Sequence, residues 1–151
     1  MIIKQGNTLA KDVVPVFIIH ESEPIARHFF FSVLDAKDRE YLSGAHKTFN
    51  LKAGISRAVF LPSGRKALVL GIDKRDLFSH RKAILIARRA VVVSRAERLP
   101  HIALALENFR SVRMKNETEL AEIIATQTLL ANFEFVKYRT PPPEGWFFVK
   151  T

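Results

Sequence analysis

No cysteine occurs in this chain. That excludes a disulfide framework, a thiolate metal site and a cysteine nucleophile. No apolar run approaches the roughly 20 residues a helix needs to cross a bilayer. The longest, Val13 to Ile19, is short and holds Pro15. Met1 to Asp12 lacks the basic-then-apolar pattern of a secretory signal. The expectation is a soluble cytoplasmic protein with no membrane contact.

Catalytic signatures are missing as well. There is no HExxH, no GxSxG elbow, no GxxxxGK(S/T) phosphate loop and no GxGxxG fingerprint. Histidines occur at His20, His28, His46, His80 and His101, and no two are three or four residues apart. No helix face can therefore present a pair of them to a metal. His20 with Glu21 and Glu23 could recruit a metal at a strand end, but a solvated turn is the expected reading. Ser63 beside Gly64 suits an ordinary turn. Gly64-Arg65-Lys66 carries charge beside a single glycine, too little for a phosphate cradle. We assign no catalytic, cofactor-binding or metal-ligating residue from the sequence.

What is present is core and charge. At 151 residues and 48% hydrophobic, with twelve Phe, the chain can bury one sizeable core. The net charge of +9 is uneven. Residues 52–115 hold fifteen Lys/Arg against four Asp/Glu, whereas the remainder is slightly acidic. A basic middle suits a solvated surface, an acidic partner or nucleic acid.

Elements alternate along the chain. Asp12 to His20 is β-branched and apolar, a buried strand. Arg27 to Leu34 is a second apolar run with three consecutive Phe. Asp35 to Thr48 reads as a short helix. Ile55 to Leu61 and Lys66 to Gly71 form a hairpin across Pro62-Ser63-Gly64-Arg65. Ser79 caps a helix from His80 to Glu97, ended by Leu99-Pro100. The Val91-Val92-Val93 run within it is a conflict, since β-branched residues weaken helices. His101 to Leu106 is a short strand. Asn116 with Glu119 resembles a capping box for a helix reaching Phe135. Lys137 and Arg139 near its end would complement the helix dipole. The order predicts an α/β domain with a mixed sheet flanked by helices.

The helix from His80 has the most distinctive surface. At about 100° per residue, Arg81, Lys82, Arg88, Arg89 and Arg95 share an arc of roughly 140°. Leu85 and Val92 fall inside that arc. Apolar residues ringed by arginine suit a partner interface, because Arg is enriched there. The competing expectation is a solvated face whose long aliphatic stems cover apolar neighbours. No platform of exposed aromatics strengthens a nucleic-acid reading.

Thr140-Pro141-Pro142-Pro143-Glu144-Gly145 reads as a stiff connector. Trp146 to Thr151 is strand-like, either an edge strand of this domain or the start of a following unit.

Two stretches resemble the N-terminal domain of the leucyl aminopeptidase (cytosol aminopeptidase) family. Lys66-Ala67-Leu68-Val69-Leu70-Gly71-Ile72-Asp73-Lys74 is similar to the family's strand-then-GLGK passage, with Ile72-Asp73 in place of Leu-Gly. Glu119 to Thr140, with Leu129-Leu130-Ala131-Asn132-Phe133-Glu134-Phe135-Val136-Lys137-Tyr138-Arg139-Thr140, is similar to the helix that precedes the family's catalytic domain. Thr126 or Thr128 stands where that helix often has Gly, and Phe133 replaces Tyr. These motifs are structural and cover about a third of the chain.

The resemblance implies a macro-domain-like, three-layer α/β sandwich over 1–140. Residues 141–151 would then be a proline linker and the first strand of a catalytic domain. That domain would bind two divalent metals (Zn, Mn or Mg) and remove N-terminal residues from peptides. It would also build a homohexamer, and some family members bind DNA. The family's "NTDAEGRL"-like passage and its metal-binding Lys and Asp have no counterpart here, so no catalytic position carries over. A macro-like fold also raises ADP-ribose-type ligand binding as an alternative.

Overall fold

The computed structural model describes residues 9–46, 52–110, 116–133, 140 and 142–149. Its sheet is organised around β1, Val14–His20, in which every residue is buried. A run of Val, Phe and Ile suits a strand covered on both faces. Pro15 would break a central ladder because it lacks an N–H. It lies one residue before the parallel pairing with β3, Lys66–Ile72, begins at Val16↔Leu68, so no ladder bond is lost there. On its other side β1 pairs in parallel with β4, Ile102–Leu104. β2, Ser56–Phe60, forms the expected antiparallel hairpin with β3. The sheet order is β2-β3-β1-β4, a mixed sheet.

Strand alternation divides the interior into two cores. Val14, Val16 and Ile18 of β1 point to one side with Leu68, Leu70 and Ile72 of β3. There they meet α3, His80–Ala96, and α4, Glu117–Asn132. Ala83, Ala87 and Ala90 line the inner stripe of α3 beside Ile86. Phe17 and Ile19, with Ala67 and Val69, point to the opposite side. That side is covered by α1, Phe29–Val33, and α2, Ala36–His46, through Phe30, Leu34 and Leu42. Helices, sheet and helices make three layers.

Local chemistry fixes where the helices start. The Ser79 hydroxyl accepts from Lys82 N–H, and the Asn116 side-chain oxygen Oδ1 accepts from Thr118 N–H and Glu119 N–H. Val91-Val92-Val93 stays helical despite its propensity. Val91 is fully buried and Val93 packs against the core, and that burial outweighs the few tenths of a kcal/mol each β-branched residue costs. The apolar run Arg27 to Leu34 forms a 3-10 turn, Ile25–Arg27, followed by α1. α4 ends at Asn132, with Phe133 already extended. Lys137 and Arg139 lie outside the described residues, as do Glu134 to Arg139 of the second resembling stretch.

The hairpin turn is held from a distance. Asp38, buried in the first turn of α2, accepts from Ser63 N–H at 3.0 Å and Ser63 Oγ–H at 2.6 Å. Gly64 takes φ +80° in that turn, which glycine adopts without strain. No described helix is long and apolar enough to cross a membrane.

Candidate functional site

Two parts of the molecule depart from the usual placement of side chains. One lies at the carboxyl ends of the parallel strands, the other on the outer face of α3.

At the strand ends, His20 is 1% exposed, at the last position of β1. It is not part of a solvated turn, which corrects that expectation. Its Nδ1 lies 3.0 Å from Asp73 O and its Nε2 lies 3.3 Å from Asn108 O. Both partners are acceptors, and a neutral imidazole has one N–H. An imidazolium would satisfy both, but burial, and then the Arg75 charge, hold its pKa below the usual histidine value. Phe78 meets the ring edge-on at 5.1 Å. The Asn108 side chain is buried, and its Nδ2 has no hydrogen-bond partner among the described residues.

Arg75 closes the rim of this cluster. It donates through Nε and Nη2 to both Glu23 oxygens, at 2.6 and 2.9 Å, and through Nη1 to Arg110 O at 3.2 Å. The forked pair holds the Glu23 carboxyl below its usual pKa and raises that of Arg75. Glu23 is therefore committed to Arg75, and Glu21 is exposed to solvent. Among the described residues no three of His, Asp and Glu come together in a way that could hold a metal ion. The donor set here does not fit the two-metal centre that the family resemblance implies for a catalytic domain.

His28 belongs to the same end of β1, on the other side of the sheet. β4 follows β1 only to Val16↔Leu104, leaving the Ile18 amide beyond its reach. Ile18 N–H donates instead to His28 Nε2 at 3.1 Å. His28 Nδ1 lies 3.2 Å from Phe30 N at the start of α1, and because a neutral imidazole has a single unprotonated nitrogen, the ring accepts only one of these two amides at a time. Burial, then the charges of Arg75 and His20, push the His28 pKa down to about 3. The ring is neutral and acts as a backbone acceptor, a role that sequence spacing could not reveal.

On α3, the five basic residues do not form one uniform charged face. Lys82 Nζ pairs with Asp73 at 2.7 Å. Arg88 Nε donates to Gln127 Oε1 of α4 at 2.7 Å. Arg89 reaches the carbonyl of Gly54. Arg95 Nε donates to Phe147 O at 3.1 Å, and its guanidinium lies 5.4 Å from the Phe148 ring centre. Arg81 is exposed on the first turn. Leu85 and Val92 are 55% and 56% exposed on the same outer face.

Trp146 to Val149 packs against this domain without forming a strand. Asn132 brackets Val149, donating from Nδ2 to its carbonyl at 2.9 Å and accepting its N–H at 3.0 Å. Val149 is 1% exposed. Arg98 pairs with Glu144 in the connector. Between α3 and this segment lies an open cleft of about 300 Å³, whose lining includes Val92, Ala96, Pro142, Trp146 and Phe147.

No protein-family model matches the sequence, and no curated protein matches it either. Solved structures do match. A mutant of tomato leucine aminopeptidase aligns over 89% of this chain with a TM-score of 0.58 and 19% identity. The bottromycin maturation enzyme BotP, in complex with Mn, aligns over 87% with a TM-score of 0.53 and 19% identity. This chain shares its fold with part of leucine aminopeptidase. It spans 28% of the length of the tomato protein and 25% of BotP. The mixed sheet between helices is the three-layer α/β architecture that the resemblance in the sequence implied.

Proposed function

We propose that this chain is a non-catalytic N-terminal domain of a metal-dependent leucyl-aminopeptidase-type protein. It would serve assembly, substrate access or regulation. Its main partner would be a catalytic domain of the same polypeptide, which would carry two divalent metals (Zn, Mn or Mg) and build a homohexamer. The observation that carries this reading is the agreement of two independent likenesses. The fold is shared with leucine aminopeptidase over nearly the whole chain. Among the described residues, the first resembling stretch runs along β3 toward α3, and the quoted motif of the second begins in the last turn of α4. A low-identity fold match alone would say nothing of activity.

The competing readings have less support. Of the five basic side chains singled out on α3, only Lys82 pairs with a carboxylate, while Arg88, Arg89 and Arg95 bond neutral acceptors and keep their charge, and positive charge alone is a weak signal for nucleic acid. An ADP-ribose-type ligand would need the crevice outside the strand ends. Among the described residues, the side chains of His20, Phe78 and Asn108 at that end of the sheet are buried and so present no surface to such a ligand.

Hydrolysis of leucine-p-nitroanilide with added manganese tests the proposal. Residues 1–151 are expected to be inactive, and a gene product that continues past Thr151 is expected to be active. Turnover by 1–151 alone, abolished by a chelator, would overturn it. So would a gene that ends at Thr151.

A further inference from the structure

The outer face of α3 has the geometry of a helix-pairing seam. Ala83, Ile86, Ala87, Ala90, Val91 and Ser94 turn inward and are buried. Opposite them run Arg81, Leu85, Arg88, Val92 and Arg95, spaced four, three, four and three residues apart. That alternation keeps a stripe facing one partner helix along its length. It covers about 21 Å at 1.5 Å per residue. Apolar and cationic positions alternate along it, and Leu85 and Val92 are both more than half exposed.

We infer that this seam docks an acidic amphipathic helix from a partner protein. Such a helix would set apolar side chains against Leu85 and Val92 and carboxylates against Arg81, Arg88 and Arg95. Its apolar end residue would enter the cleft between α3 and Trp146. Charge complementarity selects this occupant. Residues 52–115 hold fifteen cations against four anions, so a basic or neutral helix gains nothing from the arginines. A second copy of the chain fits poorly, because the seam is symmetric about Arg88. Antiparallel pairing would set Arg88 on Arg88 and Arg81 on Arg95, and parallel pairing would set each arginine on itself. A phosphate backbone would satisfy arginines but would leave Leu85 and Val92 without a contact. Arg88 and Arg95 are also already oriented, by Gln127 and by the Phe147 carbonyl, which lowers the entropy cost of using them. This inference does not rest on the aminopeptidase reading.

Trp146 is the only tryptophan and lines the cleft, so its emission reports on occupancy. The probe is a synthetic helical peptide whose heptads carry leucine at one seam position and glutamate at the other. We expect a saturable change in Trp146 emission on titration at low salt. Binding should weaken at least tenfold for Arg88→Glu and for Val92→Lys. A peptide with lysine in place of glutamate should bind Arg88→Glu better than it binds the unchanged chain. Both substituted positions are exposed, and far-ultraviolet circular dichroism confirms that each variant is folded. Absence of any response overturns the proposal, as does equal binding of the lysine peptide. A stronger response to duplex DNA or to phosphatidylserine vesicles than to the peptide does the same. Loss of the response in a gene product extended past Thr151 would assign the seam to its own chain and overturn it too.

Discussion

His20 and Leu85 invert the usual placement of their side chains: the histidine is 1% exposed and the leucine 55%. Each inversion has a different physical consequence. A buried imidazole must find partners inside the fold, and His20 faces two backbone carbonyls while His28 lies between two backbone amides, one of which its neutral ring accepts. Those side chains complete a sheet whose fourth strand is too short to satisfy β1. An exposed leucine makes no such demand on the fold. Beside Val92 and three arginines it becomes surface that a partner can cover. Buried polarity therefore marks structure at one end of the sheet, and exposed apolarity on α3 marks the surface from which the docking proposal is argued.

The comparison breaks first at His28. Replacing it with Ala removes a ring tilted against Phe17, centroids 4.7 Å apart, and the acceptor for Ile18 N–H. We expect a loss of about 3–4 kcal/mol in urea denaturation, combining a cavity with an unpaired buried amide. A loss below about 1 kcal/mol would mean that water replaces the ring and that the strand end is open.

The segment after α4 offers the next test. Asn132→Ala leaves both backbone groups of Val149 without their buried partners. A cost of about 1–3 kcal/mol is expected, with Trp146 emission shifted to the red. An unchanged spectrum would show that the segment docks through its aromatic side chains alone.

Acid should act in the same direction as the His28 substitution. The folded pKa of His28, about 3, lies below its unfolded value of 6.5. As the pH falls below 6.5, the unfolded chain takes up a proton that the folded chain refuses. Stability present above 6.5 is lost progressively toward 3, and the lowered pKa values of His20 and Glu23 add to the loss. We expect about 2 kcal/mol less stability at pH 5 than at pH 7 from His28 alone. His28→Phe should flatten that part of the profile, and a profile unchanged by it would assign the acid sensitivity elsewhere.

Smaller effects belong to the surface. Glu23→Gln weakens a partly exposed forked pair and should cost about 0.5–1 kcal/mol, less in high salt. Leu85→Lys should change stability by less than about 0.5 kcal/mol, because nothing in the fold is built on that side chain. A larger cost there would contradict the reading of α3's outer face as free surface.

Periodicity and capping made most of the architecture legible. The β1 run, the Pro62-Ser63-Gly64 hairpin, the Ser79 and Asn116 caps and the inner stripe of α3 act over a few residues. Their sequence pattern is their physical cause. The arc containing Leu85 and Val92 was visible for the same reason, since helical spacing alone places them among the arginines.

Long-range partnerships were not legible. Nothing near His28 in sequence announces that β4 will stop at Leu104 and leave the Ile18 amide to be taken. Arg88, Arg89 and Arg95 read as a free basic face until Gln127, Gly54 and Phe147 meet them from 39, 35 and 52 residues away. The sequence by itself determined the elements, their order and the amphipathic stripes, because those follow from short-range backbone preference and side-chain spacing. Tertiary structure alone decided which polar groups are spent inside the fold and which remain outside. That choice depends on which strand runs short, which helix packs over it and which carbonyl it leaves behind.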